Sequence, residues 1–120
     1  MFVRFERVSK IYRLGKNEIR ALDRVSFELE RSKIYTVIGP SGSGKTTLLN
    51  MIGCLDKPTS GTIIFAGQEL GRLTKKGLAQ LRRCNIGFIF QSYNLIPVLT
   101  AYENVEFAIR LVGGRSKREM

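Results

Sequence analysis

Apolar and polar residues alternate over two stretches near the start of the chain, Phe2 to Val8 and Val25 to Leu29, with a turn-forming Leu14-Gly15-Lys16-Asn17 between them. Alternation with a period of two puts one face of an extended segment in a core and the other in water, so two strands, paired antiparallel, are predicted. Lys33 to Ile38 (KIYTVI) and Ile86 to Phe90 (IGFIF) are apolar without alternation, the pattern of strands buried on both faces. A helix is predicted from Lys45 to about Ile52. Pro58, Ser60 and Gly61 mark a loop, Gly61 to Phe65 reads as a strand, and Ala66-Gly67 makes the turn after it. Thr74 to Arg83 reads as a surface helix and Gln91 to Thr100 as a loop containing Pro97. Thr100 and Glu103 have capping-box spacing, which opens a helix to about Val112 that Gly113-Gly114 ends; Ser116 and Glu119 repeat the spacing just before Met120.

Between the run ending at Ile38 and the predicted helix lies Gly39-Pro40-Ser41-Gly42-Ser43-Gly44-Lys45-Thr46, which fits G-x-x-x-x-G-K-[ST]. Glycines let the backbone take positive φ and turn successive N–H groups inward, so that they and the positive end of the helix hold phosphate oxygens. Lys45 can reach β- and γ-phosphates as a point charge, and the Thr46 hydroxyl can ligate Mg²⁺ whose remaining positions go to phosphate and water. The alternative is a Gly-rich turn that binds nothing. The motif alone does not separate kinases, GTPases, helicases and transport ATPases. In this chain 38 residues precede it, whereas nucleotide kinases place the loop almost at the N-terminus.

Composition narrows the picture. The 120 residues suffice for one modest domain, and 43% hydrophobic with 25% charged residues is ordinary for a folded protein and unlike disordered compositions. The net charge of +10 invites a nucleic-acid or anionic-membrane reading. The basic residues are scattered, however, with only short groups at Lys75-Lys76, Arg82-Arg83 and Arg115-Ser116-Lys117-Arg118, which favours a solvated surface. Cys54 and Cys84 lack the spacing of a metal site and are expected to be buried and reduced. No apolar stretch approaches a bilayer-spanning length and the N-terminus has no charged-then-apolar leader, so a cytoplasmic location is expected, with any membrane link made through a partner.

Val8-Ser9-Lys10-Ile11-Tyr12, followed by Ala21-Leu22-Asp23-Arg24-Val25-Ser26-Phe27, resembles the opening of ABC transporter nucleotide-binding domains. Gly53-Cys54-Leu55-Asp56-Lys57-Pro58-Thr59-Ser60-Gly61 and the stretch from Ile86 through Gln91 to Thr100 resemble the macrolide-export and lipoprotein-release subfamily. The resemblance implies an α/β fold: a P-loop NTPase core of the ABC type with an N-terminal antiparallel β subdomain, truncated at the start of the helical subdomain. Residues 1–38 would form the β subdomain and the approach to the loop, 39–90 the core, and 91–120 the Q-loop and the start of the helical part.

The same resemblance implies ATP and Mg²⁺ as ligands. Gly39, Pro40, Ser41, Gly42, Ser43, Gly44, Lys45, Thr46 and Thr47 would hold the phosphates, and Tyr12 would stack on adenine; otherwise Tyr12 is an ordinary strand-end tyrosine. Gln91 would be the Q-loop glutamine, touching Mg²⁺ or the attacking water, so that Lys45 and Gln91 are the catalytic candidates and Thr46 and Gln91 the metal candidates. The alternative for Gln91 is a surface amide. Loop 92–100 would face a transmembrane permease subunit, with plain burial of Leu95, Ile96, Pro97 and Leu99 against the next helix as the other reading. A head-to-tail homodimer, placed peripherally on the inner face of the membrane, is implied for a full-length parent, and no direct nucleic-acid partner.

An LSGGQ-like signature, a Walker B Asp, the Glu after it and a switch His would complete the family's ATPase. The sequence contains no His, and its only aspartates, Asp23 and Asp56, do not end an apolar strand. ATP binding without hydrolysis is therefore expected of this chain, as the ATP-binding front part of a transport ATPase. Two alternatives stay open: a non-hydrolysing Mg·ATP binding module, and an ABC-type ATPase acting on nucleic acid. With several sheet strands missing by that resemblance, the apolar faces of Ile34 to Ile38 and Ile86 to Phe90 are expected to be partly uncovered.

Overall fold

A computed structural model describes residues 2–113; the Ser116–Glu119 spacing lies outside them. Residues up to Ala79 form one compact unit and residues from Gln80 onward a second.

The first unit is built on an antiparallel sheet. Strand β1, Val3–Leu14, and strand β2, Asn17–Leu29, form a long hairpin closed at Gly15-Lys16. Both strands run further toward the turn than alternation alone indicates, because the exposed pairs Arg13↔Glu18 and Leu14↔Asn17 continue the ladder in solvent. Strand β3, Ser60–Phe65, pairs with the other edge of β1, and the two-residue β4, Gln68–Glu69, pairs with β3. The order is β2-β1-β3-β4, which puts β1 and β3 inside the sheet and β1 between its two longer neighbours.

Register explains the core. Val3 faces Phe65 and Phe5 faces Ile63 across β1 and β3, and all four are buried, as residues two apart on one face should be. Phe5 also stacks on Phe27 of β2 at 4.5 Å between centroids, and Phe2 packs on Phe65 at 4.8 Å. On the opposite face Arg4 pairs with Glu28 at 2.8 Å and Glu6 at 3.2 Å. Alternation fails at Arg7, whose φ is 47°, where both ladders of β1 shift register. The bulge lets Val8 and Ser9, adjacent in sequence, both be buried. The buried Ser9 hydroxyl accepts from the Arg24 N–H at 2.9 Å, so it is not stranded without a partner.

Helix α1, Lys45–Ile52, follows the glycine-rich loop and buries Met51. Helix α2 is Lys75–Asn85, and it buries Leu78 and Leu81. Helix α3, Ala101–Val112, opens with a complete capping box: the Glu103 N–H donates to the Thr100 hydroxyl at 3.2 Å, and the Thr100 N–H donates to the Glu103 carboxylate at 2.7 Å. Gly113 caps its end.

Two expected strands are absent. Lys33 to Ile38 and Ile86 to Phe90 lie in irregular backbone, with Ile34 and Ile89 fully exposed and Ile38 89% exposed. The reason is that no described strand pairs with either run: a strand requires hydrogen-bonded neighbours, and apolar composition supplies none. Within the second run Phe88 and Phe90 stack on each other at 5.6 Å, and in the first the Tyr35 hydroxyl accepts from the Glu30 N–H at 3.0 Å. The partial uncovering of these runs agrees with expectation. Cys54 is buried as anticipated, but Cys84, on the outer side of α2, is exposed; neither forms a disulfide.

The tightest backbone crossing of the sheet is at Gly61, with φ 84°, where a Cβ would sit 2.3 Å from the Arg7 carbonyl oxygen beside the bulge. Gly67 has nearly the same φ, 81°, in open space. Gly67→Ala should therefore show the φ penalty alone, about 1 kcal/mol, and Gly61→Ala a larger loss, on the order of 3 kcal/mol, in urea unfolding.

Candidate functional site

The loop from Gly39 to Gly44 delivers the chain into α1. The Ser43 N–H closes a turn onto the Pro40 carbonyl at 3.2 Å. Gly44 is the N-cap of α1 with φ 93°, a left-handed conformation that is cheap only for glycine. A Cβ at Gly44 would lie 2.4 Å from the carbonyl oxygen of Ala21 on β2, so this residue must lack a side chain on two separate grounds. At Gly39 a Cβ would meet the Ser43 hydroxyl at 2.7 Å.

No side chain caps α1, and no acidic residue lies in its first turn. The amides of Lys45, Thr46 and Thr47 occupy the positions where a helix offers donors without intrahelical acceptors. With the helix dipole behind them they favour an anion. The Lys45 ammonium folds back over the loop, donating to the Gly39 carbonyl at 2.5 Å, the Pro40 carbonyl at 2.7 Å and the Ser43 hydroxyl at 3.4 Å. A mobile cation is thereby kept at the helix start by neutral acceptors, which a charged phosphate oxygen can outcompete. Thr46 is exposed and Thr47 half-buried on the first turn.

Tyr12 belongs to the same unit. It is 37% exposed near the end of β1 and pairs with Ile19, two residues along β2 from the Ala21 carbonyl that Gly44 approaches. That spacing is about 7 Å along the strand. Gln91 belongs to the second unit, in an exposed bend after Phe90. The ionisable groups with clearly displaced pKa values, Asp23 and Arg4, are on the strands of the sheet. The hydrogen bond from Arg20, reinforced by its charge and that of Arg24 against some desolvation, holds the Asp23 carboxyl below its ordinary value, and bonding to Glu28 raises Arg4.

Sequence reading missed Asn104. In the second unit this α3 side chain accepts from the Ile96 N–H at 2.8 Å and donates to the carbonyls of Thr100 at 2.9 Å and of Ile96 and Leu99 at 3.3 Å. One amide thus holds the 96–100 turn, while Tyr93, Leu95 and Val98 stay exposed and Ile96 and Leu99 are half-buried. An Asn early in a capped helix, after a Pro-containing loop, is a weak signal that could have pointed to it.

The glycine-lined turn, the uncapped first turn and the tethered ammonium gather hydrogen-bond donors and positive charge at one helix start on an α/β fold. The sequence model of the ABC transporter family matches residues 22–120. An uncharacterized ABC transporter ATP-binding protein of Thermotoga maritima is 51% identical over 110 residues, which cover 92% of this chain and 47% of that protein. The macrolide export ATP-binding/permease protein MacB of Hyphomonas neptunium is 48% identical over 99 residues, 82% of this chain and 15% of that protein. An ATP-binding cassette solved as a dimer in a post-hydrolysis state with ADP and Pi superposes with a TM-score of 0.91 at 42% identity, covering 98% of this chain and 52% of the other. The chain belongs to the ABC transporter family, and its fold is that of the ATP-binding cassette. It spans about half the length of the Thermotoga maritima relative and of the solved cassette, and a smaller share of MacB.

Gly44→Ala should both strain the loop and push α1 off β2, with a stability loss on the order of 3 kcal/mol in urea unfolding. Asn104→Ala should leave the helical signal in far-UV circular dichroism nearly intact while limited proteolysis cuts between residues 93 and 99 several-fold faster, since the turn loses the side chain that ties Ile96 and Leu99 to α3.

Proposed function

We propose that this chain binds Mg·ATP and is the nucleotide-binding part of an ATP-driven membrane transporter related to the macrolide-export systems. The single observation that carries the reading is the Gly39–Thr47 geometry: a glycine-rich turn, three first-turn amides and the Lys45 ammonium converge on one helix start. In this reading Gly39, Pro40, Ser41, Gly42, Ser43 and Gly44 wrap the phosphates, Lys45 neutralises the β- and γ-oxygens, and Thr47 supplies a further first-turn amide. Tyr12 offers its exposed ring to adenine.

Mg²⁺ fits the donor set. Thr46 provides one exposed hydroxyl oxygen on the first turn, and no cluster of three or more His, Cys, Asp or Glu occurs among the described residues. That suits an ion held mainly by phosphate and water, with Gln91 as the second protein group to approach it or the attacking water. When bound, the ion would neutralise phosphate charge.

The relatives named for export and the cassette solved as a dimer support two further parts of the proposal: a permease partner met through loop 92–100, and a head-to-tail dimer in the longer protein. No helix among the described residues is long and apolar enough to cross a membrane, in keeping with a peripheral place on its inner face. The division into residues 1–38, 39–90 and 91–120 is proposed on the same basis. For these 120 residues the proposed activity is nucleotide retention, with Lys45 and Gln91 contributing to hydrolysis only within the longer protein.

Isothermal titration with Mg·ATP should show Lys45→Ala weakening binding roughly ten- to a hundredfold, the contribution of a charged hydrogen-bonding group, with little change in far-UV circular dichroism. Equal affinity in both proteins would remove the loop from the account.

A further inference from the structure

Tyr12 does not stand alone on its strand end. Its phenol donates to Oδ2 of Asp56 at 3.4 Å, and the Lys10 ammonium reaches the same oxygen at 3.1 Å. That ammonium also donates to the Lys57 carbonyl at 2.8 Å and lies 5.2 Å from the Tyr12 ring centroid. The other Asp56 oxygen accepts the Lys57 N–H at 2.8 Å, which fixes the carboxylate's orientation. The turn that carries Asp56 is laced to β1 next to Tyr12: the Ile11 N–H donates to the Thr59 hydroxyl at 3.0 Å, and the Thr59 N–H donates to the Ser9 carbonyl at 2.9 Å.

We propose that Asp56 is a positioning residue for the nucleobase: one carboxylate oxygen takes the Tyr12 phenol and the Lys10 ammonium together and so fixes the aromatic face on which a purine stacks. The inference rests on the ATP-binding reading above and adds to it a specificity element. A tyrosine ring free to turn about its side-chain bonds loses rotamer entropy each time a base docks; a ring already held by its hydroxyl does not. Lys10 near the ring adds a cation whose attraction to the aromatic face opposes rotation, and it is the least exposed member of the cluster, with a 14% exposed side chain.

The location of Asp56 gives this arrangement a second property. Asp56 follows α1 by only a few residues, and α1 begins at the phosphate loop. One short rigid element therefore links the group that sets the base-binding ring to the amides that would hold the phosphates. The distance between the two ends of the ligand site is set by the protein before the ligand arrives.

The test compares Mg·ATP with inorganic tripolyphosphate in the full 120-residue chain, because tripolyphosphate meets the phosphate loop and has no base. The variants are Tyr12→Phe, which keeps the ring and removes only the hydroxyl, Asp56→Ala, and the two together. Each single variant should lower the ratio of ATP to tripolyphosphate affinity roughly three- to tenfold, the size of one hydrogen bond's net contribution. The double variant should fall no further, the signature of two groups acting through one contact. Additive losses, an unchanged ratio, or equal loss of both ligands on Asp56→Ala would overturn the inference and leave ATP binding standing. A wild-type chain that binds neither ligand overturns the ATP-binding reading, and this inference with it. Should Asp56→Ala fail to fold, Tyr12→Phe alone decides: no change in the ratio refutes the proposal.

Discussion

Gly44 approaches the Ala21 carbonyl so closely that only a hydrogen atom fits on its α-carbon, and the rest of the site depends on that approach. The contact docks the start of α1, with its first-turn amides, onto β2. A larger residue would have to shift the helix, because the obstacle is backbone and cannot rotate aside. The left-handed φ at the same residue turns the chain sharply enough that Lys45 can reach back to the Gly39 and Pro40 carbonyls. Steric closeness and backbone handedness thus select one residue type twice at one position, and the electrostatics of the site follow from the geometry that results.

The parts of the fold legible in the sequence are those governed by near neighbours. The β1–β2 hairpin follows from alternation and a glycine turn, α1 from the loop motif, and α3 from a capping box whose two hydrogen bonds lie within four residues. The phosphate loop is legible for the same reason, since its glycines and lysine act on one another across a single turn. What could not be read locally depends on distant partners. The bulge at Arg7 is set by pairing with both β2 and β3, and no local pattern announces that Val8 and Ser9 are both buried. The ties from Asp56 and Thr59 to β1 join residues more than forty positions apart. Cys84 was misjudged because a cysteine's usual burial says nothing of which side of a helix carries it.

The runs at 34–38 and 86–90 show where apolar content stops being informative. Ile34, Ile38 and Ile89 each forgo about 2 kcal/mol that burial of such a side chain confers. An extended chain that buried them would also need acceptors and donors for its backbone, and no strand among the described residues pairs with either run. The sheet that does form is consequently stabilised through β1: Val3 and Phe5 meet β3 on one side, and Phe5 meets Phe27 of β2 on the other. The apolar runs lie outside that economy of contacts, and for this reason they mark surfaces that suit further strands better than water.

The same strand also joins the two ends of the proposed ligand site. Toward one end β1 presents Tyr12; at its middle Ser9 takes the Thr59 amide; and through β2 it supports the carbonyl against which Gly44 rests. Helix α1 spans the gap on the other side, from the phosphate loop to the segment leading to Asp56. Strand, helix and the two tight contacts make a closed circuit, and in a closed circuit a shift at one corner must appear at the others. Occupation of the loop by phosphate would draw Lys45 from its carbonyls, yet Gly44 could not retreat from Ala21 without dragging α1 and the Asp56 turn along. The circuit therefore favours a base-binding ring and a phosphate loop that keep a fixed spacing, with the motion on ligand exchange confined to the lysine side chain and the loop backbone around it.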